Sequence, residues 1–284
     1  MHIPDGFLAT PVWATLDAAA APAVVYLTRR AQRSLEENKV PLLGVLGAFV
    51  FAAQMINFPV GPGTTGHLVG GALLAFTLGP APASVVMAAI LAIQALVFQD
   101  GGILALGANI TNMAVLGVLA GYLPFHIWGG TKWRKLSLFA GGALSVLVSA
   151  CLALAELLVS GVKMPPSVLS VSLALFTVSA ILEGAITLAV MQALERVQPK
   201  TVHYPQPNRS PILAGVALTA VLLATVGVLF AAGGPDGIEK LLNLHPASLD
   251  ANFLRQASTG ILGLVLIYGA CLVIGRVAGR HRSL

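Results

Sequence analysis

LSLFAGGALSVLVSACLALAELLVS, residues 136–160, carries one charged side chain, Glu156, in 25 positions. As a helix it is about 37 Å long, more than the roughly 30 Å hydrocarbon core of a bilayer. Comparable apolar stretches recur on both sides of it with short polar breaks, and the alternation of a strand barrel is absent. The 284 residues are 57% hydrophobic and only 10% charged, with a mean hydropathy of +0.87. A water-soluble domain carries about a quarter charged residues, so lipid is the solvent for most of this chain. The reading is an all-α, polytopic transmembrane bundle of nine spans, at about 9–28, 41–58, 67–79, 83–98, 106–125, 136–160, 167–192, 211–232 and 257–276.

Orientation follows from Lys and Arg, because positive loops stay cytoplasmic. With the N-terminus outside and the C-terminus inside, 13 of the 16 basic residues lie inside, among them Arg29, Arg30, Arg33, Lys132, Arg134, Lys135 and Arg196. Only Lys163, Lys240 and Arg255 fall outside. The net charge of +5 is thus a topology signal, and its division among separate loops argues against a nucleic-acid surface. Cys151 and Cys271 sit within apolar spans without a metal-ligand spacing and read as buried packing residues. The first eight residues lack the Lys or Arg of a signal peptide, so Met1 is expected to remain.

Three units are expected: a seven-span core over 1–192, a proline-rich cytoplasmic linker over 193–210, and a two-span accessory unit with an outer loop over 211–284. Neither a phosphate-binding Gly-rich loop ending in Lys-Ser/Thr nor a His-Glu-x-x-His or Gly-x-Ser-x-Gly motif occurs. An ATPase or hydrolase therefore has no visible machinery, and the chain is not expected to be an enzyme.

The chemistry concentrates at the start, Met1-His2-Ile3-Pro4-Asp5-Gly6-Phe7-Leu8. The α-amine of Met1, the amide nitrogen of His2 and the His2 ring nitrogen nearer the backbone can close a five- and then a six-membered ring around one metal. Planar nitrogen ligation of that kind suits Ni²⁺ and Cu²⁺ and leaves a fourth position open. His67, after Gly61-Pro62-Gly63-Thr64-Thr65-Gly66 at the outer start of the third span, can fill it, though an interfacial His capping its own helix fits the same pattern. Asp100, Asn109 and Asn112 stand near the outer end of the fifth span, where they either orient His2 and His67 or serve local caps. The intramembrane carboxylates Asp17, Glu156 and Glu183 admit a different function, a proton relay in a self-sufficient secondary transporter.

The N-terminal octapeptide, Gly63-Thr64-Thr65-Gly66-His67-Leu68 and the stretch from Phe98 through Gln99-Asp100-Gly101-Gly102 to Asn109-Ile110 together resemble the CbiM/NikM family. These are cobalt- and nickel-specific membrane components of energy-coupling-factor importers. The resemblance spans roughly residues 1–192 and implies Met1, His2 and His67 as metal ligands. It also implies a membrane coupling (T) subunit and separate cytoplasmic ATPases as partners, a bacterial inner-membrane location, and no permanent cofactor, Ni²⁺ or Co²⁺ being the cargo. Gly233-Gly234-Pro235-Asp236-Gly237-Ile238-Glu239 resembles the Pro-Asp-Gly-Leu-Glu signature of the family's small NikN-like accessory component, here fused. The spacings Ala14-x-x-x-Ala18 and Ala19-x-x-x-Ala23 give the first span small-residue faces that another helix can approach closely, either the coupling subunit or this chain's own bundle.

Overall fold

The computed structural model describes residues 1–34, 40–61 and 64–197, with Ile238 and Leu242 beyond them. After an extended N-terminal segment come α1 (Thr10–Ser34) and α2 (Val40–Gln54). Two short strands follow, β1 (Asn57–Gly61) and β2 (Thr64–His67), then α3 (Gly71–Leu78). Next come α4 (Pro80–Ile93), α5 (Leu106–Asn109), α6 (Val118–Trp128), α7 (Arg134–Val159) and α8 (Pro166–Val197). A π-helical turn, Gln94–Phe98, ends α4, and a second π segment, Ile110–Gly117, joins α5 to α6 without a break.

Among the described residues four helices are long and apolar enough to cross a membrane: Pro80–Phe98, Leu106–Trp128, Arg134–Val159 and Pro166–Arg196. Their outward faces are apolar. Leu119, Leu123 and Ile127 form one stripe at helical spacing and Val171, Val178 and Ile181 another, all exposed, as lipid-facing surface requires. The interior closes on small residues. A Cβ on Gly142 would lie 3.0 Å from the Gly184 Cα, so α7 and α8 touch nearly backbone to backbone. At the end of the bundle away from the N-terminus, Arg134 donates to Glu195 Oε1 through Nε (3.1 Å) and Nη2 (2.8 Å), tying the start of α7 to the end of α8.

The sequence expectations need correction around residues 55–79. The apolar run expected to continue to 58 stops as a helix at Gln54, and Asn57–Gly61 pairs antiparallel with Thr64–His67. His67 therefore ends a strand and does not begin a helix. The third span is the eight-residue α3, too short to cross, and all of its residues from Gly71 to Thr77 are buried in protein. Gln54 explains how irregular backbone is tolerated inside the bundle: its Nε2 donates to Val69 O (2.7 Å) and its Oε1 accepts from Gln94 Nε2 (2.7 Å). Cys151, expected to be buried, lies exposed on α7. The spans expected at 211–232 and 257–276, the linker 193–210 (all but its first five residues) and the Pro-Asp-Gly segment (all but Ile238) lie outside the described residues, as does Cys271.

Candidate metal site

The N-terminal segment does not trail from the bundle; Met1, His2 and Ile3 are buried, Ile3 completely. Full burial of such a side chain contributes about 1.5–3 kcal/mol. Backbone pairing adds direction. Ile3 N–H donates to Asn109 Oδ1 (2.8 Å), and Ile3 O accepts from Asn109 Nδ2 (3.1 Å) and Gly102 N–H (2.9 Å). Two residues on, the Asp5 carboxylate accepts the N–H groups of Ile103 (3.0 Å), Leu104 (2.8 Å) and Ala105 (3.3 Å), satisfying the donors ahead of α5. This grip explains Gly101-Gly102. Gly101 has φ +92, and a Cβ on Gly102 would collide with Asp5.

The chain end so held meets His67. The Met1 amine nitrogen stands 3.0 Å from His67 Nε2, and the His2 and His67 rings stack with centroids 5.5 Å apart and planes 10° from parallel. Nitrogens bound about 2.0–2.1 Å from one ion at right angles are about 2.8–3.0 Å apart, so the amine and His67 Nε2 stand at the spacing of neighbouring ligands. His67 Nδ1 lies 3.0 Å from Leu68 O. Donation there leaves the Nε2 lone pair facing the amine. His2 Nδ1 is 3.0 Å from Asp100 Oδ1, while His2 Nε2 is buried with no hydrogen-bond partner among the described residues. In each ring, then, Nδ1 has a protein partner, while Nε2 faces the amine in His67 and has no partner among the described residues in His2.

Crowding by the surrounding chain raises the Asp100 pKa, but the His2 charge, the hydrogen bond from His2, and the charges of His67 and the amine more than offset it. The net result is a carboxyl held well below the usual carboxylate range. Its side chain keeps 56% of its surface open, so solvent moderates the pull. Among the described residues no group of three or more His, Cys, Asp and Glu side chains gathers into a cage. An ion held here would need the backbone nitrogens of the chain end.

The structure brings together Met1, His2, His67, Asp100 and Asn109. Asn112 goes elsewhere: its Nδ2 donates to Glu156 Oε2 (2.8 Å), and its Oδ1 is buried with no partner among the described residues. Of the small residues on α1, Ala14, Ala18 and Ala19 are exposed and Ala23 half-buried. Each carboxylate of the expected relay serves a different element. Asp17 Oδ1 accepts Gly107 N–H (2.6 Å), Glu156 takes Asn112, and Glu183 accepts Val69 and Gly70 N–H (2.8 Å each). The sequence reading anticipated none of these contacts, nor that of Asp5 on 103–105, because no local pattern announces a partner 44 to 114 residues away.

The family model described as "Cobalt uptake substrate-specific transmembrane region", CbiM, matches residues 2–201. The chain is 36% identical over 249 residues to the "Probable fused nickel transport protein LarMN" of Lactiplantibacillus plantarum, covering 81% of this chain and 75% of that one. It is 36% identical over 152 residues to the "Cobalt transport protein CbiM" of Acetoanaerobium sticklandii, covering 52% and 69%. A solved structure of a truncated transition metal transporter superimposes with a TM-score of 0.61 at 34% identity, over 69% of this chain and 99% of that one. The match over residues 2–201, these relatives, and four helices among the described residues able to cross a membrane lead to one statement: the chain belongs to the CbiM family of cobalt and nickel transport proteins.

Proposed function

We propose that this protein is the substrate-binding component of an ATP-driven energy-coupling-factor importer and captures Ni²⁺, in preference to Co²⁺, at the outer face of the bacterial inner membrane. The observation that carries the proposal is the 3.0 Å approach of the Met1 amine to His67 Nε2, with the His2 ring stacked alongside. The ligands are the Met1 amine, the His2 amide and Nδ1, and His67 Nε2, a planar nitrogen set that favours Ni²⁺ over Co²⁺. Asn109 fixes the chain end, and Asp100 holds His2 until the metal arrives. Closing the chelate through Nδ1 requires His2 to release Asp100.

One contact favours a second arrangement. With Nδ1 left on Asp100, the buried His2 Nε2 joins the amine and His67 Nε2, and the amide keeps its proton. Proton release on binding separates the two, the amide chelate freeing one more per ion. The proton-relay transporter has little support, since Asp17, Glu156 and Glu183 are each committed to a separate backbone or amide partner.

ATP hydrolysis and the coupling subunit belong to other chains, the latter docking on α1 at Ala14, Ala18, Ala19 and Ala23. Elemental mass spectrometry of the protein as isolated, with Ni²⁺ and Co²⁺ titrations of the metal-free chain, tests the reading. Binding of neither ion without ATP, or transport without ATPase partners, overturns it.

A further inference from the structure

His67 sits on a strand of four residues, β2, whose backbone pairing with β1 is its whole share of regular structure. Such a strand does not fix an imidazole by itself. Both flanks of His67 rest on one helix, α8. On one side, a Cβ at Gly66 would lie 3.0 Å from Ser179 Oγ. On the other, the Glu183 carboxylate accepts Val69 N–H through Oε2 and Gly70 N–H through Oε1, both at 2.8 Å. Ser179 and Glu183 are four residues apart and share a face of α8. Glu183 is 1% exposed.

Two charge-assisted hydrogen bonds to successive backbone amides, each on its own carboxylate oxygen, fix position and direction together. Gly70 is shaped to receive them. It has φ +74 and packs so close to Val50 that a Cβ would lie 2.6 Å from Val50 Cγ1, so the turn that presents both N–H groups is a glycine turn. A buried carboxylate is costly to keep in a membrane bundle, and such residues mark functional positions.

We infer that Glu183 is a positioning residue for the metal site: from α8 it clamps the junction of β2 and α3 and so holds His67 Nε2 at ligand distance from the chain end. The inference rests on the reading of His67 as a ligand. Glu183 touches no metal and moves no proton; it acts through His67 alone. Its loss therefore matters only while His67 is there to be placed.

That dependence gives the test. Ni²⁺ affinity and the visible absorption of the bound ion are measured for the full chain, for Glu183→Gln, for His67→Ala and for the double variant. Glu183→Gln keeps the volume but turns an NH₂ toward one of the two N–H groups. The expected result is a loss of about tenfold or more in the native background, an absorption shift toward that of His67→Ala, and almost no further loss once His67 is gone. Ser179→Val, which presses on Gly66 from the same face, repeats the comparison with Glu183 intact and decides the matter should Glu183→Gln not fold. Equal losses in both backgrounds, or no loss from Glu183→Gln, overturn the clamp. A His67→Ala chain that binds as the native one does overturns instead the metal-site reading beneath it.

Discussion

Asn109→Ala removes the side chain that spans Ile3, and its cost can be worked from the contacts. Ile3 O keeps Gly102 N–H at 2.9 Å, but Ile3 N–H loses its partner at 2.8 Å in a residue that is 0% exposed. An orphaned buried donor costs about 1–3 kcal/mol and the second lost hydrogen bond about 1 kcal/mol. The sum is about 3 kcal/mol against the docked chain end, or about a hundredfold in affinity at 1.4 kcal/mol per decade if all of it falls on binding. Calorimetric Ni²⁺ titration of the full chain, beside His126→Ala as a control at the far end of α6, measures it. An Asn109→Ala protein that binds Ni²⁺ within about threefold of the native chain refutes the claim that docking of residues 1–3 builds the site.

Extending the chain by one residue before Met1 turns the amine into an amide in a place where Met1 is only 9% exposed, and high-affinity binding should be lost in the same titration. His67→Ala should weaken binding by about a hundredfold, on the order of 3 kcal/mol, while His126→Ala leaves it unchanged. Binding should fall as pH falls, because protons compete for the amine and imidazole nitrogens; calorimetry in buffers of differing ionisation enthalpy should count more than one proton released per ion near neutral pH. Asp100, held ionised well below that range, contributes nothing to this slope. Leu at both Ala14 and Ala18 should leave Ni²⁺ affinity intact yet abolish transport and co-purification with the coupling subunit.

The long apolar helices were legible because lipid demands many consecutive apolar residues, and residues 134–159 and 166–197 meet that demand without help from distant sequence. The hairpin was not. Its strands have five and four residues, too short for a periodic signal, and an apolar stretch runs into the first. The clue was Asn57 and Pro59 before Gly61-Pro62-Gly63, with the β-branched pair Thr64-Thr65 after it. At the candidate site, motif and donor chemistry nominate Met1, His2 and His67 as ligands, and the structure sets the three side by side. The contacts that place them, Asp5 to 103–105 and Glu183 to 69–70, are products of tertiary folding and leave no local trace.

The enclosed helix α3 bears on how the protein is made. Eight residues rise about 12 Å, less than half of a bilayer core, so the segment cannot be recognised and inserted as a span of its own. Neither can a two-stranded hairpin with open edges rest in lipid. Both reach their places only when neighbouring helices have closed around them, and His67 arrives with them. A chain that has threaded its long helices through the membrane correctly, yet has not finished assembling, is a membrane protein without the proposed metal site. On the proposed function, bound metal certifies completed assembly, and nickel retention becomes a sensitive assay of correct biogenesis for any variant, including those altered far from the ion.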